Sequence, residues 1–124
     1  MSGLRLEGFE ILVVEDEPLI GFDIMLTLTD AGAHVIGPIA NLTEALATIA
    51  SSTPAAAILD VRPGHHDVFP AAHALAAKGI PFVFHTGHAD AATLSSWANR
   101  PAIRKPAAPG AMIEAVRRLV LPDA

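Results

Sequence analysis

Apolar residues recur along this chain in two alternating rhythms. In one they form short unbroken runs, at residues 11–14, 55–59 and 81–84. A run that is apolar at nearly every position, rather than every second one, suits a strand covered on both faces. Runs at 34–37 and 102–104 bring the predicted strands to five. In the other rhythm the apolar positions fall three or four residues apart, the spacing of one helix face.

Ile20, Ile24, Leu28 and Ala31 form the first such stripe. Its helix is expected to open at Pro18, because proline suits a first turn, and to end at Gly32. Leu42, Leu46, Ile49 and Ala50 form the second, with Asn41 as N-cap and Glu44 three residues later as in a capping box. Residues 51–54 read as a loop. A third helix is expected over about 67–78, stopped by Gly79. Residues 89–99 carry a weaker helical pattern, with Leu94 and Trp97 three apart. Met112, Val116, Leu119 and Val120, with Ile113 beside them, give the last helix its stripe. Five strands alternating with five helices predict a three-layer α/β domain with a parallel sheet.

The length of 124 residues fits one domain spanning 1–124, with its core over about 9–121 and no output domain. The absence of cysteine excludes disulfides, thiolate metal sites and cysteine nucleophiles. A net charge of -5 argues against broad nucleic-acid binding, which needs clustered Lys and Arg. No stretch approaches the ~18 apolar residues of a membrane span. Arg5, Glu7 and Glu10 spoil the basic-then-apolar order of a signal peptide, so a cytoplasmic protein is expected. Charged residues make up only 17% of the chain, which leaves room for apolar surface and hence a protein partner.

Candidate chemistry gathers where each strand ends. Glu15 and Asp16 follow the first, Asp60 the third, Thr86 the fourth and Lys105 the fifth. Ligands of open α/β sheets bind outside the carboxyl ends of the strands, so these residues would share one edge. Carboxylates a few ångströms apart repel by about 4 kcal/mol per pair at an effective dielectric of about 20. Such a cluster raises a pKa or recruits a cation, and an all-oxygen set suits Mg²⁺. With a cation bound, Asp60 could act as a nucleophile toward phosphorus, with Lys105 and Thr86 on the phosphoryl oxygens.

Four segments carry a resemblance: Val13-Val14-Glu15-Asp16-Glu17, Ile58-Leu59-Asp60-Val61, Phe84-His85-Thr86-Gly87 and Ile103-Arg104-Lys105-Pro106. In this order at strand ends, they resemble the receiver domains of response regulators in bacterial two-component systems, over nearly the whole chain. The resemblance implies a flavodoxin-like (βα)5 fold with sheet order 2-1-3-4-5. It implies Asp60 as phosphoacceptor, and Glu15, Asp16, Asp60 and the backbone carbonyl of Arg62 as Mg²⁺ ligands. Lys105 would contact the phosphoryl group, Thr86 would move toward it, and the Lys105–Pro106 peptide would be cis. A sensor histidine kinase or phosphotransfer protein would donate to Asp60, an unknown downstream protein would read the result, and a homodimer could form through the last helix-strand-helix face. Catalysis would extend only to the chain's own phosphorylation and dephosphorylation.

Three features depart from the family pattern. Ala102 stands three positions before the lysine, where receivers often carry an aromatic, and Ala107 follows the Lys-Pro pair where another is common. The stretch between Thr86 and Lys105 is also short for the family. Trp97 could substitute for the missing aromatic. These departures keep open an interaction module that needs no phosphorylation. An aspartate-dependent phosphohydrolase is disfavoured, because Arg62 stands where such enzymes place a general acid. His85 and His88 either tune phosphoryl lifetime or face solvent, His65 and His66 read as loop residues, and His34 and His73 as structural.

Overall fold

The computed structural model describes residues 5–61, 68–87, 97 and 100–122. Five strands and four helices occur among them: β1 (Glu10–Val14), α1 (Pro18–Asp30), β2 (His34–Ile39), α2 (Leu42–Ser51), β3 (Ala56–Val61), α3 (Phe69–Ala77), β4 (Phe82–Thr86), β5 (Ala102–Arg104) and α4 (Pro109–Val120). The expected helix over 89–99 falls outside the described residues, apart from Trp97. The strands form one parallel sheet of order β2-β1-β3-β4-β5, the flavodoxin-like order that the resemblance implied.

Local signals set the element ends. The Asn41 side chain accepts a hydrogen bond from Glu44 N at 2.8 Å and so caps α2. Gly32, at φ +97, closes α1 in the left-handed conformation, with its N–H on the Thr29 carbonyl. β2 runs two residues past its expected end because Gly37 and Pro38 both fit there. Gly37 adopts φ +116, and a Cβ on it would lie 2.6 Å from the Val13 carbonyl oxygen. Pro38 is tolerated because β2 is an edge strand, where a missing N–H breaks no ladder. The Gly37–Pro38 and Lys105–Pro106 peptides are cis.

The sheet separates two apolar layers. Leu12, Val14, Leu59, Phe82 and Phe84 pack with Ala45, Ile49 and Leu75 of α2 and α3. Ile11, Val13, Ile58 and Val83 pack with Ile24, Leu28, Met112 and Val116 of α1 and α4. Successive strand residues therefore serve opposite layers, as the pleat requires. One expectation is corrected. Ala50 is exposed, and Ala45 takes its place on the buried face of α2 with Ile49. His34 and His73 are exposed: His34 opens the edge strand, and His73 sets its ring 4.9 Å from that of Trp97. No described helix is long and apolar enough to cross a membrane.

Candidate phosphoacceptor and cation site

The carboxyl ends of the strands bring the acids together. β1 ends at Val14, and Glu15 extends its ladder by donating its N–H to the Ile39 carbonyl at 2.9 Å. β3 continues through Asp60, two residues after Ile58, so Asp60 faces the α1/α4 layer. Carboxylate oxygens of Glu15, Asp16 and Asp60 all lie within 4.8 Å of one another. Glu17, adjacent in sequence, does a different job. Its side chain accepts from Leu19 N at 3.2 Å and caps α1, while its N–H donates to Glu15 Oε2 at 3.1 Å.

Lys105 reaches the cluster from beyond β5 and donates from Nζ to Asp60 Oδ1. Three carboxylates against one ammonium leave two negative charges uncompensated among these four side chains when all are ionised. Burial makes this expensive. Glu15 is 3% exposed, and burial together with the Asp60 charge pushes its carboxyl up to about 7. Burial also raises Asp60 above the usual carboxylate range, against the opposing pull of Lys105.

Of the two alternatives for His85, the structure places the residue beside this site. β4 runs on through His85 and Thr86, and pairing sets Asp60 opposite His85 and Val61 opposite Thr86. His85 therefore faces the α1/α4 side, two residues after Val83, and only 4% of it is exposed. The solvent-facing alternative is thus overturned. Burial, with the Lys105 ammonium nearby, pushes its imidazole down to about 4. Its Nδ1 lies 4.0 Å from Glu15 Oε1. Glu15 Oε1 and both His85 ring nitrogens are buried without a hydrogen-bond partner. The signal that could have found His85 is the two-residue period of a strand extended by two positions.

Thr86 faces the opposite layer with Phe82 and Phe84, and its hydroxyl donates to the Gly87 carbonyl at 3.0 Å. Trp97 packs on that side too, its ring centroid 6.3 Å from Phe69, 5.7 Å from Phe82 and 6.0 Å from Phe84. Ala102 is exposed. Arg62, His65, His66 and His88 lie outside the described residues, so the expected carbonyl ligand of Arg62 does too.

The donor set fits a hard divalent cation. All three ligand groups are carboxylate oxygens, one of them is buried with no partner, and the local charge is negative.

Against protein-family models and curated proteins the chain finds no match. Solved structures do match. SdrG from Sphingomonas melonis Fr1 is 36% identical, with a TM-score of 0.77 over 94% of this chain and 98% of its own. A response regulator receiver protein from Sinorhizobium medicae WSM419 is 26% identical, with a TM-score of 0.82 over 94% of this chain and 97% of its own. The signal receiver domain of a modulated diguanylate cyclase from Desulfovibrio desulfuricans G20, also 26% identical, gives 0.80 over 90% and 93%. With the strand order, the strand-end acids and these likenesses together, the chain belongs to the response-regulator receiver domains.

Proposed function

We propose that this receiver, spanning 1–124, accepts a phosphoryl group on Asp60 with Mg²⁺ held by Glu15, Asp16, Asp60 and the Arg62 carbonyl. It would act in the bacterial cytoplasm through protein contacts. The observation that supports this best is the convergence of three carboxylates and the Lys105 ammonium at one sheet edge. An Asp60 oxygen attacks phosphorus, the new O–P bond forms, and the bond from phosphorus to the donor's histidine nitrogen breaks. Lys105, already on Asp60, is placed to follow charge onto the phosphoryl oxygens. Mg²⁺ supplies further positive charge to those oxygens when bound. Thr86, which faces the other layer, turns its hydroxyl from the Gly87 carbonyl toward the new group and so carries the change to the surface. The donor is a sensor histidine kinase or a phosphotransfer protein.

The test is incubation with Mg²⁺ and acetyl phosphate, read by intact mass, beside Asp60→Asn. A Mg²⁺-dependent phosphoryl adduct on the wild type alone is expected. Failure to label under conditions where a known receiver labels would sink this reading. A second reading, binding that is independent of phosphorylation, draws on the exposed Ala102, which offers no aromatic ring to move with Thr86. Partner capture that survives Asp60→Ala would favour it.

A further inference from the structure

We propose that His85 is a positioning residue for the acid cluster: its Nδ1–H donates to Glu15 Oε1 and holds that carboxylate ready for a divalent cation. This rests on the reading of Glu15, Asp16 and Asp60 as cation ligands.

Placement comes first. Strand alternation and the Asp60–His85 pairing put His85 on the same side of the sheet as Glu15 and Asp60. An apolar side chain at this buried point between Phe84 and Thr86 would pack without any polar cost, whereas a buried imidazole needs partners. The partner is at hand. Glu15 Oε1 and His85 Nδ1 are both buried, both lack a hydrogen bond, and stand 4.0 Å apart. A small side-chain adjustment or one bridging water closes that distance.

The chemistry then selects one tautomer. A neutral imidazole has one N–H and one lone pair. Facing an ionised Glu15, the proton belongs on Nδ1, as when a histidine orients a metal-binding carboxylate from behind. His85 is not itself a ligand in this arrangement, because the convergent donor set consists of Glu15, Asp16 and Asp60 without it. Its other nitrogen can be served by water from a groove of about 270 Å³ between α1 and the start of α4, which His85 lines with Ile20, Asp23, Thr27 and Met112.

The test combines two measurements. Proton–nitrogen correlation spectra of the wild-type imidazole with Mg²⁺ bound report its tautomer, and calorimetric Mg²⁺ titrations compare wild type, His85→Leu and His85→Asn. We expect the proton on Nδ1. His85→Leu should bind Mg²⁺ about 10- to 100-fold more weakly, the usual loss when such a supporting contact is removed. His85→Asn, which keeps an N–H donor near the same place, should recover most of that loss. A proton on Nε2, or unchanged affinity in His85→Leu, overturns the proposal. If His85→Leu fails to fold, the wild-type tautomer decides. A wild type that binds no Mg²⁺ would instead overturn the cation reading beneath it, so the two failures are distinct.

Discussion

Two glutamates in this receiver meet opposite environments, and the contrast separates a satisfied surface charge from a buried, unsatisfied one. Glu114, on α4, accepts hydrogen bonds from Arg117 and Arg118 and pairs with Arg5 of the N-terminal segment; these contacts hold its carboxyl down at about 2. It lies at the surface, where water and salt screen such pairs and leave them little net worth. Glu15 sits at the carboxyl end of the sheet, buried beside two other acids, and its carboxyl is pushed up to about 7. The satisfied glutamate is structural and nearly dispensable. The unsatisfied one belongs to the cluster whose donor set fits a divalent cation.

Removing cations and charges on the two sides should sharpen that contrast, and the largest effect is expected at Lys105. Lys105→Ala leaves Asp60 buried without its partner, so the metal-free protein should lose about 3 kcal/mol above neutral pH in urea unfolding. Its labelling by acetyl phosphate should slow by about 100-fold or more in a mass time course. Unchanged values in both would mean that the Lys105–Asp60 pair is incidental.

Glu15→Gln should move stability the other way. Well above the Glu15 pKa of about 7, the metal-free wild type carries an ionised, buried carboxylate that the glutamine lacks. The variant should gain about 2 kcal/mol without Mg²⁺ and lose most of the stabilisation that Mg²⁺ confers on the wild type. A variant less stable than wild type under these conditions would contradict the strain assigned to Glu15.

The pH dependence should show two opposed slopes. Glu15 titrates near 4.5 when unfolded and about 7 when folded, so its contribution is full below 4.5 and is lost as pH rises toward 7. His85 titrates near 6.5 when unfolded and about 4 when folded, so its contribution is full above 6.5 and is lost as pH falls toward 4. Asp60, also raised by burial, adds to the fall with rising pH. Across the overlap, thermal melts of metal-free Glu15→Gln should therefore rise more with pH than those of the wild type, and identical profiles would contradict the Glu15 assignment.

The smallest effect belongs to the surface. Glu114→Gln should lower Tm slightly at low salt and not at all at high salt. A large, salt-independent drop would show that the Arg5 clamp matters more than its exposure suggests.

Much of this could be read from local pattern. Asn41 caps α2, Gly32 ends α1, and Met112 with Val116 faces the core, because each depends on residues a few positions away. The rule that ligands gather at strand ends also picked out Glu15, Asp16, Asp60 and Lys105 before any coordinates. What local pattern missed depends on partners far along the chain. Ala50 lost its expected burial because the orientation of α2 is set by what it packs against, not by its own stripe. Glu15 and Glu17 look alike in sequence, yet one enters the cluster and the other caps a helix, since the turn after β1 sends their side chains different ways. The apolar run of β4 stops at Phe84, so the sequence leaves His85 open between the site and solvent, and only pairing with β3 shows that the strand continues.

By itself, then, the sequence determined the alternation of strands and helices, the helix ends and the residue types at the strand ends, since these follow from periodicity and short-range hydrogen bonding. Only the tertiary structure decided that Lys105 pairs with Asp60 across 45 residues, and that His85 and Glu15 share a buried face. Burial and charge proximity are properties of the packed chain, and they turn ordinary acids into a site.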